Sequence, residues 1–343
     1  MREFWRDRRV LITGVAGFIG SSLARALVDQ GADVVGLDLV ADSPCLRVHG
    51  LSGKVPVLVR DLAGDPDRII WTLANGDGHG GWRPPDIVFH LAGQGHIPVA
   101  QRDPLGTWES TVRGTWAILE ACRNLPSGQI QAVIAASSNH VYGSAPDHPV
   151  AYPHGFPESA PCLQTDVYGA SKRIVDVLTE AYARLGVRAA SLRHVNAYGP
   201  ADPHTTHIVT ATILSLLRGE RFVIQGDGSA TKGYLFVDDV VSAYLLLAER
   251  LAGSDVGIGG RAFNAAPDAP ISVKALVEAI VTVSGLDLPP ILQVDAPWDQ
   301  TGYVENLDST RLRNLGWSPQ TPLAEGLRRT FDWYRVTGGT AWL

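Results

Sequence analysis

The 343-residue sequence has few cysteines, no long apolar run and no excess of basic residues. Its three cysteines, Cys45, Cys122 and Cys162, are widely separated and form no C-x-x-C pair. We therefore expect reduced thiols that serve packing in a reducing compartment, and not a disulfide framework. No apolar run approaches the roughly 18 to 20 residues that cross a bilayer, and the charged start, Met1 to Arg9, is unlike a secretion signal. These absences predict a cytoplasmic protein with no membrane partner.

The charge balance excludes another class of partner. The chain carries 29 lysines and arginines against 35 aspartates and glutamates, for a formal net charge of −6, and the basic residues do not cluster. Nucleic-acid binding needs a basic surface, so none is expected. A hydrophobic fraction of 45% with 19% charged residues is typical of a globular protein and excludes global disorder.

Short apolar runs alternate with helix-period segments through the first 200 residues or so. The predicted strands are Val10–Thr13, Asp33–Leu37, Val55–Val59, Ile87–Leu91, Ala132–Ala136 and Ala189–Leu192. The predicted helices between them include Phe18–Gln30, Thr107–Arg123 and Tyr168–Leu185. Near-continuous apolar strands separated by helices indicate a parallel sheet that is covered on both faces. The predicted fold class is therefore α/β, with a doubly wound parallel (Rossmann) sheet.

A glycine-rich turn joins the first predicted strand to the first predicted helix. It reads Thr13-Gly14-Val15-Ala16-Gly17-Phe18-Ile19-Gly20. Such glycines allow a tight turn, a close approach to a pyrophosphate and close packing of a helix whose amino terminus faces the phosphates. The residues predicted to bind the cofactor here are Gly14, Ala16, Gly17, Phe18, Ile19 and Gly20.

The cofactor is predicted to be NAD because of an acidic residue farther along the chain. Asp38 ends the second predicted strand, 18 residues beyond Gly20. A carboxylate at this place can accept hydrogen bonds from the adenosine ribose and repels a 2′-phosphate, which favours NAD over NADP. Asp61 and Leu62, after the third strand, are predicted to contact the adenine, although an exposed loop aspartate would explain Asp61 nearly as well.

Tyr168 and Lys172 are four residues apart and therefore share one face of a predicted helix. A free tyrosine has a pKa of about 10, so a useful base needs a pKa about 3 units lower, or about 4 kcal/mol of phenolate stabilisation. The Lys172 ammonium and a positively charged nicotinamide can supply it together. Ser138 follows the fifth strand, where ligands of such sheets bind, and can hydrogen-bond the same substrate oxygen. The alternative for this tyrosine and lysine is a solvated helix face.

After Gly199-Pro200 the pattern changes to a smaller α+β lobe. The predicted elements here are helices His207–Arg218, Asp238–Leu251, Val273–Ser284 and Leu323–Tyr334, with a strand at Phe222–Ile224. We assign residues 1–196 to an NAD-binding Rossmann domain, with a returning segment around 234–266, and residues 197–343 to a smaller substrate-binding lobe. Two loops stand out: a surface insertion at Gly76–Pro85, and a lid or binding loop at Ser144–Asp166.

Together these motifs resemble the extended short-chain dehydrogenase/reductase family, specifically its NAD-dependent nucleotide-sugar epimerases and dehydratases. The resemblance rests on Thr13–Gly20, His90–Gly93, Ser137–Gly143, Tyr168–Lys172, Leu192–Pro200 and Phe236–Val240. It implies that Tyr168 takes the proton of a sugar hydroxyl, typically at carbon 4, while hydride passes to NAD. Ser138 would orient that hydroxyl and Lys172 would hold the nicotinamide ribose. It also implies that Leu91, Ala92 and Gly93 bind the cofactor.

The resemblance also bears on the substrate and the assembly. It implies a nucleotide-activated sugar as substrate, bound by Ser138, Asn139, His140, Asn196 and Lys232. In similar proteins helices corresponding to Thr107–Arg123 and Tyr168–Leu185 form a dimer interface, which implies a homodimer, whereas ordinary packing on the sheet explains their apolar stripes equally. Lys232 stands where the family commonly has an arginine, and no arginine occurs in Trp298–Asn306, so the diphosphate contacts depart from the usual pattern.

The reaction class depends on the residues after Ser138. Similar dehydratases carry Asp-Glu or Asp-Lys where this chain has Asn139-His140. An asparagine cannot act as the acid that elimination requires, whereas His140 can act as a base or serve packing or substrate hydrogen bonding. We therefore predict an epimerase that works through transient oxidation to a 4-keto sugar. A 4,6-dehydratase, a sugar dehydrogenase or reductase, and a non-catalytic NAD sensor remain alternatives.

A metal is not expected. His204 and His207 have i, i+3 spacing, but no carboxylate or cysteine is suitably adjacent in sequence. Hydride chemistry of this kind also needs no metal ion.

Overall fold

A computed structural model describes residues 2–76, 82–148, 150–253, 257–294 and 302–339, so the predicted insertion at Gly76–Pro85 lies partly outside the described residues. The strands are β1 (Arg9–Thr13), β2 (Asp33–Asp38), β3 (Val57–Val59), β4 (Ile87–His90), β5 (Ala132–Ala136), β6 (Ala189–His194), β7 (Asn196–Tyr198), β8 (Val223–Gln225), β9 (Thr231–Lys232), β10 (Tyr234–Phe236), β11 (Ala262–Ala265), β12 (Ile271–Ser272) and β13 (Ile291–Gln293).

The helices alternate with these strands in the first half of the chain. They are α1 (Arg2–Trp5), α2 (Phe18–Val28), α3 (Pro44–Val48), α4 (Pro66–Asn75), α5 (Ile97–Arg102), α6 (Pro104–Thr107), α7 (Gly114–Asn124), α8 (Val167–Arg184), α9 (Ile208–Leu217), α10 (Val237–Ala252), α11 (Val273–Ser284), α12 (Thr310–Arg313) and α13 (Leu323–Val336). A π-helical segment, Trp108–Arg113, joins α6 to α7.

Seven parallel strands form the central sheet, in the order β3-β2-β1-β4-β5-β6-β11. This arrangement confirms the predicted doubly wound sheet. The strand order reverses between β1 and β4, where Val10 pairs with both Val34 and Ile87. Ligands of open α/β sheets bind outside the carboxyl ends of the strands at such a reversal. The topology therefore places the glycine turn at the expected crevice.

The strands are apolar throughout because both faces of the sheet are covered. Val10 and Ile12 pack into the core on one face, while Leu11 between them packs into the core on the other face. Helices α2 and α10 contribute to the first core, and α4 and α7 contribute to the second. All three side chains are fully buried. The two helical layers thus cover both faces of the sheet.

Two predicted elements differ from the observed ones. The strand predicted at Val55–Val59 begins at Val57, because Pro56 has no N–H to give to the ladder. The helix predicted at Thr107–Arg123 is interrupted by the π-helical segment Trp108–Arg113. A π-turn inserts an extra residue and reorients its side chains, and here the Thr111 hydroxyl accepts a 2.9 Å hydrogen bond from the Gln94 N–H.

The second half of the chain contributes to the central sheet and also builds a separate layer. Strand β11 pairs with β6 at the sheet edge, and α10 packs against the sheet. Outside this sheet β7 pairs with β10 and β8 with β13, both in parallel, and β9 pairs antiparallel with β12. Helices α9, α11 and α13 contact one another and provide the core of this second part.

The cysteines and helices bear on two of the exclusions. Cys45, Cys122 and Cys162 are free thiols, as predicted, and the first two are buried. None of the helices in the described part of the chain is both long enough and apolar enough to cross a membrane.

Candidate active site

The glycine turn after β1 is built so closely that side chains cannot be added to it. Gly14 has φ of +73°, and a Cβ placed there would lie 2.8 Å from the backbone nitrogen of Ala92. A Cβ at Gly20 would lie 2.1 Å from the carbonyl oxygen of Gly14. Gly17 is the N-cap of α2, and no described side chain caps that helix. The amino terminus of α2 therefore opens directly onto the crevice.

Asp38 is fixed beside this turn. Its Oδ2 accepts a hydrogen bond of 2.9 Å from the Ala16 N–H, and its Oδ1 accepts one of 2.7 Å from the Leu39 N–H. The hydroxyl of Ser43 donates to the Ala16 carbonyl at 2.8 Å. These bonds hold the carboxylate at the carboxyl end of β2, next to the glycine turn.

Asp61 and Leu62 lie just beyond β3. Asp61 is exposed, and its Oδ1 accepts a 2.9 Å hydrogen bond from the Ala63 N–H. Leu62 is buried in the core on the α4 and α7 side of the sheet. Both residues thus have local structural contacts, and their predicted contact with adenine stays a prediction.

A buried hydrogen-bond network positions the segment Leu91–Gly93 after β4. Thr13 Oγ1 lies 2.8 Å from His90 Nδ1, and His90 Nε2 lies 3.0 Å from Thr115 Oγ1. The Ala92 N–H donates to Thr13 Oγ1 at 3.2 Å. Burial lowers the pKa of His90 to about 3, so its ring is neutral at physiological pH. The network ties this segment to the glycine turn.

Tyr168 and Lys172 lie in the first turns of α8. Asp166 caps this helix, because its Oδ1 accepts hydrogen bonds from the N–H groups of Tyr168 at 3.0 Å and Gly169 at 3.1 Å. The Lys172 ammonium lies 6.0 Å from the centre of the Tyr168 ring and donates to the Ala136 carbonyl at 3.1 Å. Burial lowers the pKa of Lys172 to about 8. The lysine is thus buried beside the tyrosine, as the spacing predicted.

Ser138 approaches Tyr168 from the end of β5. It caps a short 3₁₀ turn, Asn139–Val141, through a 3.1 Å bond from the His140 N–H, and its hydroxyl donates to Asn139 Oδ1 at 3.3 Å. Burial raises the pKa of Tyr168, a hydrogen bond with Ser138 lowers it, and the carboxylates of Glu305 and Asp166 raise it. The net shift is upward, so Tyr168 is a neutral phenol in the ligand-free protein. An added positive charge is needed to make it a base.

His140 lies between two carboxylates. Its Nε2 is 3.0 Å from Asp166 Oδ2 and 2.8 Å from Gln164 Nε2, and its ring centre is 5.7 Å from that of Tyr168. Its Nδ1 lies 4.0 Å from Oε1 of Glu305. Glu305 is only 3% exposed, and burial raises its pKa although the charges of His140 and Lys232 oppose the shift. A second set of ionisable groups thus adjoins Tyr168.

The remaining predicted substrate contacts lie on β7 and β9. Asn196 is exposed, and its Nδ2 donates to the carbonyl of Gly233 at 3.1 Å. Lys232 Nζ lies 5.1 Å from the centre of the Tyr303 ring. Burial lowers the pKa of Lys232, and the charge of Glu305 opposes the shift. Through Glu305 the structure connects Lys232 to His140 and Tyr168.

Sequence reasoning missed Glu305 and Asp166. Glu305 lies in the segment Trp298–Asn306, where the resemblance led us to expect an arginine, and residues 298–301 of that segment lie outside the described residues. No local signal shows that a glutamate there meets His140, 165 positions earlier. Asp166 had a usable signal, because an aspartate just before a helix is a preferred N-cap.

The histidines His204 and His207 belong to a different cluster. His207 Nδ1 lies 2.8 Å from Asp202 Oδ2, and the ring of His96 stacks on that of His204 with centres 5.7 Å apart. Within the ranges that the structure describes, no three histidine, cysteine or acidic side chains form a group that can hold a metal ion.

The crevice fits a dinucleotide. The space that a Cβ at Gly14 or Gly20 would fill is backbone-lined, and the uncapped start of α2 offers N–H groups to a pyrophosphate. The carboxylate of Asp38 can accept hydrogen bonds from ribose hydroxyls, and the Lys172 ammonium lies at the carboxyl end of β5, where it donates to the Ala136 carbonyl.

Comparisons with known proteins agree with this geometry. Residues 10–266 match the sequence model of the NAD dependent epimerase/dehydratase family. The chain is 34% identical to a UDP-glucose 4-epimerase from Mycolicibacterium smegmatis over 95% of this chain and 98% of that protein. Among solved structures, it resembles a UDP-glucose 4-epimerase from Thermotoga maritima with a TM-score of 0.81 and 27% identity, covering 96% of this chain and 99% of the other.

Dehydratases are also among the similar structures. DesIV, a dTDP-glucose 4,6-dehydratase from Streptomyces venezuelae, has a TM-score of 0.79 and 27% identity, covering 95% of this chain and 97% of the other. The matched family covers most of the chain, including the glycine turn and the Tyr168 helix. The chain therefore belongs to the NAD-dependent epimerase/dehydratase family and is an NAD-dependent enzyme.

Proposed function

We propose that this enzyme is a 4-epimerase of a nucleotide-activated sugar. The observation that carries the proposal is the Tyr168 phenol, whose ring lies 6.0 Å from the buried Lys172 ammonium and whose pKa is raised by burial and lowered by Ser138. The similarity to UDP-glucose 4-epimerases along nearly the whole chain supports this reaction and a UDP-sugar as the first substrate to test.

Three side chains have separate roles in the proposed reaction. Tyr168 takes the proton of the sugar hydroxyl, and Ser138 orients that hydroxyl by hydrogen bonding. Lys172 holds the nicotinamide ribose, and its ammonium lies 6.0 Å from the centre of the Tyr168 ring. Bound NAD supplies the hydride acceptor and, once reduced, the hydride donor. The phenol later returns its proton to the oxygen of the 4-keto sugar.

Cofactor binding is proposed for the residues that line the crevice. The pyrophosphate would rest on the glycine turn and the start of α2, the ribose on Asp38, and the nicotinamide half against Leu91–Gly93 and Lys172. The adenine would contact Asp61 and Leu62. On this proposal residues 1–196 bind NAD together with the returning segment 234–266. Residues 197–343, which include Lys232, bind the sugar nucleotide, and Asn196 from the first domain contributes to that site.

Asn139 supports epimerisation over dehydration. Its side chain is buried and accepts a hydrogen bond from Ser138 at 3.3 Å. An amide cannot transfer a proton to a departing hydroxyl, which elimination across carbons 5 and 6 requires. The sugar therefore turns over and recovers its hydride on the other face.

A second candidate, a nucleotide-sugar 4,6-dehydratase, is favoured by one observation. His140 lies beside Tyr168 and between the carboxylates of Asp166 and Glu305, so proton-transfer groups are present near the site. In such a lyase, a base removes the proton on carbon 5 and an acid protonates the hydroxyl that leaves carbon 6.

Product analysis separates the two reactions. The purified protein is incubated with UDP-glucose in deuterated water, and the products are followed by NMR. The epimerase proposal predicts UDP-galactose without deuterium at carbon 5 and without net NADH. A 4-keto-6-deoxy product with deuterium at carbon 5 would contradict the epimerase proposal and show that the enzyme is a 4,6-dehydratase. Stoichiometric NADH would show that it is a dehydrogenase.

We further propose a cytoplasmic homodimer that pairs through α7 and α8. The exposed apolar side chains Trp116 and Val177, 38% and 57% exposed, lie on these helices and support a partner surface there. The free thiols support a reducing compartment. Sedimentation of wild type and of Val177→Glu tests the interface, since a monomeric wild type would contradict it.

A further inference from the structure

Glu305 is brought into the active site by a short extended segment. The Thr231 N–H donates to the Tyr303 carbonyl at 2.8 Å, and the Glu305 N–H donates to the Thr231 carbonyl at 2.9 Å. On the other side, the Val304 N–H donates to the Ser144 hydroxyl at 3.1 Å. These bonds fix the segment on both sides, so the position of the Glu305 side chain is determined by the fold.

The carboxylate at this position lacks a hydrogen bond that its burial calls for. Glu305 is 3% exposed, and its Oε1 meets hydrogen-bond geometry with no partner among the described residues, although the nearby Tyr303 hydroxyl opposes the upward pKa shift that burial causes in this carboxyl. A buried polar atom left unpaired is destabilising, and more so when it is charged. An unpaired acid at this depth, beside groups predicted to be catalytic, is therefore a candidate ligand-binding group.

The distance between Glu305 and His140 suits a shared ligand. Burial raises the pKa of Asp166, but hydrogen bonds with His140 and Gly169 lower it by more. The net shift is downward, so Asp166 is ionised. His140 Nε2 lies 3.0 Å from this carboxylate and 2.8 Å from Gln164 Nε2, and Nδ1 on the other side of the ring faces Glu305 Oε1 at 4.0 Å. The gap is too long for a direct hydrogen bond. A hydroxyl oxygen can nevertheless lie about 2.8 Å from both atoms.

We propose that Glu305 and His140 together bind one hydroxyl of the sugar, next to the carbon that Tyr168 oxidises. This inference rests on the proposed function, because it assigns a subsite of the same substrate. The ring of His140 lies 5.7 Å from that of Tyr168, so a hydroxyl held by the pair belongs to the same sugar ring as the reacting one. The pair thereby orients the ring and selects sugars that carry this hydroxyl.

Two hydrogen bonds join the sugar hydroxyl to Glu305 and His140. The hydroxyl supplies the proton of one bond, and a single further proton, on Glu305 or on His140, supplies the other. If the proton resides on Glu305, the acid donates to the hydroxyl oxygen and the hydroxyl donates to His140 Nδ1. If it resides on His140, the imidazolium donates and the hydroxyl donates to Glu305. Lys232, whose charge acts on Glu305, and Asp166, bonded to His140, balance the charge of the pair in either case.

Equilibrium binding tests the subsite separately from turnover. The NAD-loaded protein is titrated with UDP-glucose and with its 2-, 3- and 6-deoxy forms. We expect one of the deoxy forms to bind about 10- to 100-fold more weakly to wild type, as for a lost hydrogen bond to a charged group. Glu305→Leu should reduce that difference to about 2-fold or less, and Glu305→Gln, whose amide can still donate, should retain part of it.

The control and the stability of the variants complete the design. Glu278→Leu removes an exposed glutamate on α11 and should leave the full difference in place. Thermal unfolding checks that Glu305→Leu is folded at the temperature of the titration.

The outcomes are distinguishable. The proposal is overturned if wild type binds all four ligands equally, or if Glu305→Leu weakens all four by the same factor. The comparison of the four ligands uses wild type alone, so it can overturn the proposal even if Glu305→Leu does not fold. A wild type that binds with the expected pattern but does not epimerise would contradict the proposed reaction and leave the subsite standing. A wild type that binds none of the four would contradict both.

Discussion

The Asp38 carboxylate accepts a 2.9 Å hydrogen bond from the backbone N–H of Ala16, inside the glycine turn. One residue at the end of β2 thereby braces the glycine turn, and we propose that the same carboxylate also binds the ribose hydroxyls of the cofactor. On this proposal a single side chain serves both the shape of the turn and the choice of cofactor.

Replacing Asp38 with asparagine should weaken NAD binding by about 10-fold, because a charge-assisted hydrogen bond becomes a neutral one. It should also narrow the preference for NAD over NADP, since the repulsion of a 2′-phosphate is lost. Titration with both cofactors measures the effect. Asp33→Asn, at the other end of β2, is the control, and an unchanged ratio of the two affinities in Asp38→Asn would contradict the assignment.

The glycine turn can be tested by separating backbone strain from lack of space. Gly14→Ala combines φ of +73° with a Cβ 2.8 Å from the Ala92 nitrogen, so we expect loss of NAD binding and more than about 3 kcal/mol of destabilisation. Gly186→Ala has φ of +96° with open space around it and should lose only about 1 kcal/mol. Chemical denaturation compares them. Equal losses in the two variants would show that close packing at Gly14 is unimportant.

Tyr168→Phe should lower kcat by about 100- to 10,000-fold and leave NAD binding within about 2-fold of wild type, because only the proton acceptor is removed. Lys172→Met should lower kcat and weaken NAD binding as well. Tyr182→Phe, in the core at the far end of the same helix α8, is the matched control. Substantial turnover by Tyr168→Phe in the UDP-glucose assay would exclude the tyrosine as the base.

The stability of the protein should fall as the pH falls below about 6.5. Burial lowers the pKa of His90 to about 3 and that of His194 to about 4, so both are neutral when folded. The unfolded chain binds these protons below pH 6.5 and the folded chain does not, so the stability is fully present above that pH. Each group contributes a slope of about 1.4 kcal/mol per pH unit.

Urea denaturation between pH 7 and 5 measures that slope. His194→Asn should remove the contribution of one histidine to this slope, because the asparagine amide does not titrate. The amide can still donate to the Val195 carbonyl, which His194 Nδ1 contacts at 2.8 Å. His154→Asn, at an exposed position, should leave the slope unchanged. A wild-type stability that is flat over this range would show that the two rings are not held neutral.

Much of the fold and part of the site follow from local patterns. The continuous apolar strands required a doubly covered sheet, and the three glycines of the turn, with Asp38 after the next strand, predicted the crevice. Tyr168 and Lys172 were recognisable because helical spacing puts them on one face. Boundaries were less predictable: Pro56 shortened β3, and the π-helical segment at Trp108–Arg113 has no simple sequence signature.

Local spacing was enough to predict the sheet, the cofactor crevice and the tyrosine–lysine pair, because each depends on positions within one strand, turn or helix. The folded molecule was needed to learn that Glu305 meets His140 beside Tyr168 and that burial shifts the pKa of Tyr168 upward. Contacts between residues 165 positions apart, and the loss of water around a buried phenol, arise from packing. No local pattern encodes them, and they set the electrostatics of this site.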